Sequence, residues 1–204
     1  MKKSCLFGLT ACLALCALPA LADTFDFSGP YAGAQLGFSS LDNTISVGAL
    51  SFDQGDIGVA GGAVAGYGLE LDGGWYVGGE FGFGGSSASP AITDGADSFT
   101  ESENYNISLD VKAGHTIGSS TLLYAKVGYS YADFTAGDSA TGFSKDEGFS
   151  GVRLGGGIET QIFDNFTGRI EGIYTDYSDR TIDGAKFSPS SADVLLGLTY
   201  HFHI

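Results

Sequence analysis

The stretch that decides the fold is residues 103–114, which read ENYNISLDVKAG. Apolar side chains occupy every second position from Tyr105 to Ala113, and the positions between them are polar. Because successive side chains of a β-strand point to opposite faces, this segment has one apolar and one polar face. About ten residues is also the length that a tilted strand needs to cross a bilayer. The pattern therefore predicts a membrane-spanning β-strand.

The same alternation recurs in seven further segments, joined by connections that are alternately short and long. The predicted strands are Tyr31–Ser39, Ile57–Leu71, Gly74–Gly84, Asn104–His115, Leu122–Phe134, Ser150–Gln161, Phe166–Tyr177 and Ala192–Ile204. Short turns rich in hairpin residues are predicted at Asp72-Gly73, Gly118-Ser119-Ser120 and Asp164-Asn165, and long polar loops at 40–56, 85–103, 135–149 and 178–191. Short periplasmic turns and longer extracellular loops are typical of bacterial outer-membrane barrels. We therefore predict an all-β, eight-stranded antiparallel up-and-down transmembrane barrel with both termini in the periplasm.

The apolar parity of these strands also predicts where the bilayer surfaces lie. Aromatic side chains of this parity fall near strand ends, as the girdles of a membrane barrel require. The predicted inner rim contains Trp75, Phe166 and Phe202, and the outer rim contains Phe38, Phe83, Tyr105, Tyr131 and Tyr174.

Charged side chains follow the opposite parity, which faces the lumen. They are Glu80, Asp110, Lys112, Lys126, Arg153, Glu159, Arg169 and Glu171. On the lipid side near the midplane, an Arg or Lys would cost about 2–4 kcal/mol. Eight strands leave a lumen that side chains can fill, so we predict a paired ionic network that closes it. The alternative is a gated ion path that opens when the pairs exchange partners.

The first 22 residues resemble an export signal. Lys2 and Lys3 precede a short apolar core, and Ala20-Leu21-Ala22 offers small residues to a signal peptidase, so cleavage is predicted after Ala22. All three cysteines lie in this segment, and Cys12 offers a lipoprotein-type site as the alternative. The barrel domain is then predicted to span residues 23–204, the size of one domain.

The composition excludes several classes of function. Without Lys2 and Lys3, seven basic residues remain against 24 acids, which makes the formal charge −17. Nucleic acid is therefore not an expected partner, because its phosphates require Lys and Arg. After residue 22 no apolar run approaches the roughly 18 residues of a membrane helix.

Metal binding and catalysis find little support in the residue pattern. His201 and His203 are spaced as a strand metal site would be, but no third ligand lies nearby in the sequence, so no metal and no cofactor is predicted. His115 is expected at the headgroup level. Lipid-modifying enzymes of this size need a base and a nucleophile near the outer leaflet, and no histidine falls in the predicted extracellular half. We therefore predict that the chain is not an enzyme.

Several segments resemble the small OmpA-like and opacity-type outer-membrane barrels, a porin-family group. GPYAGAQLGF at 29–38 resembles their first strand and WYVGGEF at 75–81 their third, with an inward Glu80. LGGGIE at 154–159, DNF at 164–166 and RIE at 169–171 resemble the sixth and seventh strands. The resemblance implies an eight-stranded barrel that the outer-membrane assembly machinery inserts by recognising the C-terminal strand. That strand ends in Ile204 where the family commonly has an aromatic residue, with Tyr200 and Phe202 on the same face.

The sequence leaves more than one function open. The first hypothesis is a structural outer-membrane protein that contacts lipids and lipopolysaccharide and contributes to envelope integrity. The second is a surface adhesin or ligand-binding barrel that uses loops 40–56 and 85–103 to recognise a host partner or a ligand such as haem, although no loop histidine supports haem. The third is a low-conductance pore. A soluble lipocalin-like carrier is the rival fold, but it would need polar residues at positions such as Val77, Phe81, Leu109 and Leu198.

Overall fold

A computed structural model describes residues 24–47, 50–88, 91–94, 97–138, 143–182 and 185–202. Apart from a single 3-10 turn at Asp72–Gly74, the regular structure in these ranges is β-strand. The strands are β1 (Gly29–Val47), β2 (Leu50–Leu71), β3 (Trp75–Ser86), β4 (Ala91–Asp94), β5 (Asp97–Ile117), β6 (Thr121–Asp138), β7 (Phe143–Phe163), β8 (Phe166–Tyr177), β9 (Arg180–Ile182) and β10 (Ala185–His201). Within the described ranges, no helix is long and apolar enough to span a membrane.

The long strands form a closed antiparallel barrel. They are hydrogen-bonded in the order β1, β2, β3, β5, β6, β7, β8 and β10, and β10 pairs with β1 to close the ring, for example through Tyr31 opposite His201. The short strands β4 and β9 pair with β5 and β10 and take no part in the closure. The predicted eight-stranded antiparallel barrel is confirmed.

The three predicted tight turns are present at one end of the barrel. Gly73 (φ 78°) and Gly118 (φ 68°) adopt the left-handed conformation that glycine tolerates without strain. Asp164 (φ 42°) does the same in the third turn, where its short polar side chain makes this region accessible. We call this the periplasmic end, because the short turns of bacterial outer-membrane barrels lie on the periplasmic side.

The four long loops predicted at the other end are largely wrong, because the structure forms strands there. Most of the residues in these segments belong to strands that continue beyond the outward-facing apolar side chains. For example, β1 and β2 remain paired up to Val47 opposite Leu50. Likewise β6 and β7 remain paired up to Asp138 opposite Phe143. The sequence ended these strands too early because the apolar alternation stops there. Outside the bilayer a hairpin needs its backbone hydrogen bonds but no apolar face.

The two faces of the wall separate as the alternation predicts. Leu109 and Val127 point outward and are 66% and 51% exposed, whereas Lys126, next to Val127, is 4% exposed. The outward side chains form a continuous apolar surface around the barrel. The polar side chains of the inward parity are enclosed in the lumen.

Some sequence-based predictions lie outside the described residues. These are the leader 1–22 with its cleavage site at Ala20 and Ala22, together with His203 and Ile204.

Candidate functional site

Glu80 is the centre of an ion-pair layer that crosses the lumen. It lies on β3, and its carboxylate accepts a hydrogen bond from Arg169 Nη1 at 2.6 Å and another from Lys126 Nζ at 3.1 Å. Lys112 Nζ lies 3.5 Å away, and the Tyr31 hydroxyl donates to Glu80 Oε2 at 3.0 Å. Four partners from β1, β5, β6 and β8 therefore converge on one carboxylate that is 1% exposed.

Lys126 links this centre to two further acids. Its Nζ lies 3.2 Å from Glu171 and 3.5 Å from Asp110. Glu171 also accepts a hydrogen bond from the Tyr124 hydroxyl at 2.6 Å and one from the Gln35 amide. Buried charges are tolerated when they are paired and hydrogen-bonded, and Lys126 and Glu171 meet that condition.

Glu159 forms the periplasmic side of the layer. It accepts a hydrogen bond from Thr167 Oγ1 at 2.6 Å, and His201 Nε2 lies 2.9 Å from the same carboxylate. Lys112 Nζ lies 3.5 Å from Glu159 and 4.1 Å from the centroid of the Tyr124 ring. The lysine is fully buried between two carboxylates and an aromatic face, which is a favourable position for a cation.

Arg153 and Asp110 lie nearer the outer end, beside a cavity. Arg153 Nε is 3.6 Å from Asp110 Oδ1, and in the described part of the chain neither atom has a hydrogen-bond partner. The cavity has a volume of about 50 Å³, and Ser39, Ser108 and Asp193 also line it. A polar cavity of this size is large enough to hold water. Water can therefore complete the hydrogen bonds of Arg153 and Asp110.

Apolar clusters lie beyond the ion pairs at both ends of the lumen, and sequence reasoning missed both. At the outer end the buried cluster contains Leu41, Ala88, Ala132, Phe149 and Tyr177. At the periplasmic end it contains Phe25, Phe27, Tyr76, Leu122 and Tyr124. The alternating Phe25-Asp26-Phe27 was the available signal for the second cluster, but five residues before the first strand are too few to establish a period.

The eight predicted girdle residues lie on the outer surface. Phe166 is half-buried and the other seven are exposed. At the periplasmic rim, Phe166 packs on Tyr200 (5.0 Å between centroids), Tyr200 packs on Phe202 (4.8 Å), and Trp75 packs edge-on against His115 (5.1 Å). At the outer rim Phe83 stacks with Tyr105 at 6.4 Å. Apart from Tyr200 and Phe202, which are two residues apart in the sequence, these rings come from neighbouring strands, as cross-strand packing favours.

The histidine that the sequence offered as a metal ligand has another role. His201 is 1% exposed, contacts Glu159 and stacks on the Tyr31 ring at 5.4 Å. Among the residues that the structure describes, no three His, Cys, Asp or Glu side chains are grouped as a metal ion would require.

Comparison with known proteins gives consistent matches over most of the chain. Residues 8–202 match the profile of the outer membrane protein beta-barrel domain. The 31 kDa outer-membrane immunogenic protein of Brucella melitensis is 30% identical over 207 residues, which cover 88% of this chain and 85% of that protein.

Two solved structures share the architecture. Outer membrane protein OprG from Pseudomonas aeruginosa has a TM-score of 0.53 at 13% identity, and the match covers 87% of this chain and 97% of that one. Neisserial surface protein A has a TM-score of 0.52 at 14% identity, with 86% and 98% covered. At such low identity the likeness establishes the fold alone.

Proposed function

Because this chain belongs to the family of outer membrane protein beta-barrel domains, we propose that it is a non-enzymatic structural protein of the bacterial envelope with a closed lumen. Its location is the outer membrane, where the apolar belt around the barrel contacts lipid. The family resemblance that the sequence carries is confirmed by the match to residues 8–202.

The main support for a closed lumen is that side chains fill the barrel in successive layers. Glu80 is bound by three cations and a tyrosine hydroxyl in the middle of the lumen. Apolar clusters lie above and below this layer. An ion crossing the barrel would have to break buried ion pairs and also pass two apolar regions where it has no partners, which is costly. This arrangement supports a structural role over the low-conductance pore.

Planar-bilayer recording tests this proposal. Purified protein, refolded and inserted into the bilayer, should produce no stable conductance steps in a monovalent salt. Phe149→Gly and Phe27→Gly, which remove a ring from either apolar cluster, should also remain silent because the ionic layer is intact. Reproducible steps from the unmodified protein would overturn the closed lumen and favour the pore.

The absence of catalysis is part of the same proposal. Both histidines in the described residues, His115 and His201, lie at the periplasmic end of the barrel. A base and nucleophile acting on lipids of the outer leaflet would have to lie at the opposite end. Lipopolysaccharide incubated with the refolded protein and then analysed by mass spectrometry should contain no modified lipid A.

The outer hairpins favour a second candidate, surface recognition. Paired strands extend to Val47–Leu50 and to Asp138–Phe143, which gives the extracellular end a rigid scaffold. The Brucella relative is named an immunogenic protein, in keeping with exposure at the cell surface. A membrane-impermeant amine reagent applied to intact cells should label Lys145 on β7 and Lys186 on β10, which lie beyond the predicted membrane span, and leave Lys112 and Lys126 unmodified. Labelling of none of the four would remove the support for surface recognition.

The C-terminal strand supports recognition by the outer-membrane assembly machinery. Tyr200 lies near the end of β10 and Phe202 follows directly after that strand, and the two rings pack on each other at the periplasmic rim. Phe202→Ala with Tyr200→Ala should reduce the amount of folded protein in the outer membrane without changing the refolding yield in detergent. An equal loss in both settings would mean that these rings act through stability instead.

A further inference from the structure

The residues before β1 cross the periplasmic mouth of the barrel and belong to no strand. In Thr24–Ser28, alternate side chains point inward: Phe25 is 5% and Phe27 0% exposed, while Thr24 and Asp26 are exposed. This alternation is that of an extended peptide lying across a surface. We refer to residues 24–28 as the N-terminal strap.

The barrel supplies an apolar, mostly aromatic pocket for these two rings. Its apolar wall is built by Tyr76 on β3 and by Leu122 and Tyr124 on β6. His201 on β10 presents its ring edge-on to Phe25 at 5.3 Å and to Phe27 at 5.6 Å. Edge-to-face packing at these distances is a favoured geometry for aromatic rings. Strands from opposite sides of the barrel therefore contribute to one pocket.

Polar contacts hold the strap as well, one through its backbone and two through the side chains of Asp26 and Ser28. The Phe25 amide donates to the Ser119 carbonyl oxygen at 2.7 Å, in the turn between β5 and β6. The Glu70 amide donates to Ser28 Oγ at 2.9 Å, and the Ser28 amide donates to Asp26 Oδ1 at 2.8 Å. These contacts set the position of the peptide, and Phe25 and Phe27 are its two buried side chains, so most of the discrimination comes from the rings.

A glycine, Gly29, joins the strap to β1 of the barrel. Gly29 has φ 105°, a conformation that L-residues with a side chain rarely adopt, and a Cβ at this position would lie 3.0 Å from the Phe202 carbonyl oxygen. The chain turns there from the mouth into β1. The strap is therefore attached to its pocket by side-chain packing and a few hydrogen bonds, while the barrel closes through β1 and β10 without it.

From these contacts we propose that the periplasmic mouth is a binding site for an extended peptide of the pattern Phe-X-Phe. The strap occupies this site in cis. A separate peptide of the same chemistry binds there when the strap is displaced, with both rings seated among Tyr76, Leu122, Tyr124 and His201 and its backbone along Ser119.

The test uses the full chain with Phe25→Ser and Phe27→Ser, refolded in detergent, and the synthetic peptide TFDFSG with a fluorophore at its C-terminus. Fluorescence anisotropy should show saturable binding to this double variant. The control peptide TSDSSG should bind about tenfold or more weakly, the factor that loss of even one buried phenyl ring implies. The unmodified protein and the matched control Thr24→Ser should also bind the peptide weakly, because their own strap competes at high effective concentration.

The location of binding is checked by photo-crosslinking. A benzoylphenylalanine in place of the second Phe of the peptide should crosslink to Tyr76, Leu122 or Tyr124. Equal binding of the two peptides, equal binding to the double variant and the unmodified protein, or crosslinks only to the outer apolar surface would each overturn the proposal.

A second measurement removes the dependence on the double variant, which loses two buried rings and can fail to refold. In the unmodified protein, hydrogen exchange at the Phe25 amide reports its bond to Ser119. Excess TFDFSG should accelerate this exchange by displacing the strap, while TSDSSG should not. Exchange that does not respond to TFDFSG would contradict the proposed site.

Discussion

Replacement of Glu80 by alanine should destabilise the barrel strongly, because three buried cations share its carboxylate. The substitution removes the carboxylate that faces Arg169 at 2.6 Å, Lys126 at 3.1 Å and Lys112 at 3.5 Å. Removing one partner of a buried ion pair costs about 3–5 kcal/mol because the remaining charge is left uncompensated. The lost hydrogen bond from Tyr31 adds about 1 kcal/mol.

The remaining contacts of the three cations reduce this cost. Lys126 keeps Glu171 at 3.2 Å, and Arg169 keeps the same carboxylate at 3.7 Å. We therefore expect Glu80→Ala to lower the free energy of unfolding by about 4 kcal/mol. Glu80→Gln preserves the shape and one acceptor but removes the charge, and it should cost about 2 kcal/mol.

The assay is equilibrium urea unfolding of the protein in phospholipid vesicles. Trp75 is the sole tryptophan, and it lies on the outer surface at the periplasmic rim, 60% exposed, so its fluorescence reports the transfer from membrane to water. Its side chain faces away from Glu80, so the probe itself is not perturbed. The matched control is Asp176→Ala, an exposed acid on β8, which should change stability by less than about 0.5 kcal/mol.

A double-mutant cycle isolates the pair. Glu80→Ala combined with Arg169→Ala should cost less than the sum of the single changes, with a coupling of about 0.5–3 kcal/mol. The reasoning is refuted if Glu80→Ala behaves like Asp176→Ala, or if the two single losses add fully.

Further expected outcomes concern the wall of the barrel. Leu109→Arg places a charge on the lipid-facing surface and should lower stability by about 2–4 kcal/mol in the same urea assay, whereas Leu109→Val should be nearly neutral. Gly66→Ala should destabilise by about 1–3 kcal/mol because its Cβ would meet the Tyr31 ring and a backbone oxygen, whereas Gly172→Ala has nothing within 4 Å of its Cβ and should be tolerated. A spin label at Val127 should contact acyl chains and one at Ser130 should not; the reverse result would contradict the facing of β6.

The part of the fold that lies in the membrane was predictable because its two faces meet different surroundings. Lipid on one face and packed polar groups on the other impose a period of two, as in Leu109-Asp110-Val111-Lys112. The same constraint placed Glu80 and Arg169 in the lumen. It did not predict which charged side chains pair, because the partners come from strands far apart in the sequence: Glu80 and Arg169 are separated by 89 in residue number.

Beyond the lipid-facing part of each strand, no such alternation is required. The predicted strand ends were therefore inaccurate there. The segments 40–47 and 50–56 lack the alternation, yet their backbones remain paired in β1 and β2. Backbone hydrogen bonding alone does not require a particular residue pattern when both faces of a strand are exposed to water.

By itself, the amino-acid sequence determined the fold class, the facing of each membrane strand and most of the charges that the lumen buries. Side-chain parity is a local property, and the bilayer enforces it residue by residue. Only the tertiary structure decided that Glu80 is the centre of the ion pairs, that Phe149 and Tyr177 belong to an outer apolar cluster and that Phe25 and Phe27 fill the periplasmic mouth. Those contacts exist only once the sheet has closed, because barrel closure brings distant strands within a few ångströms of one another.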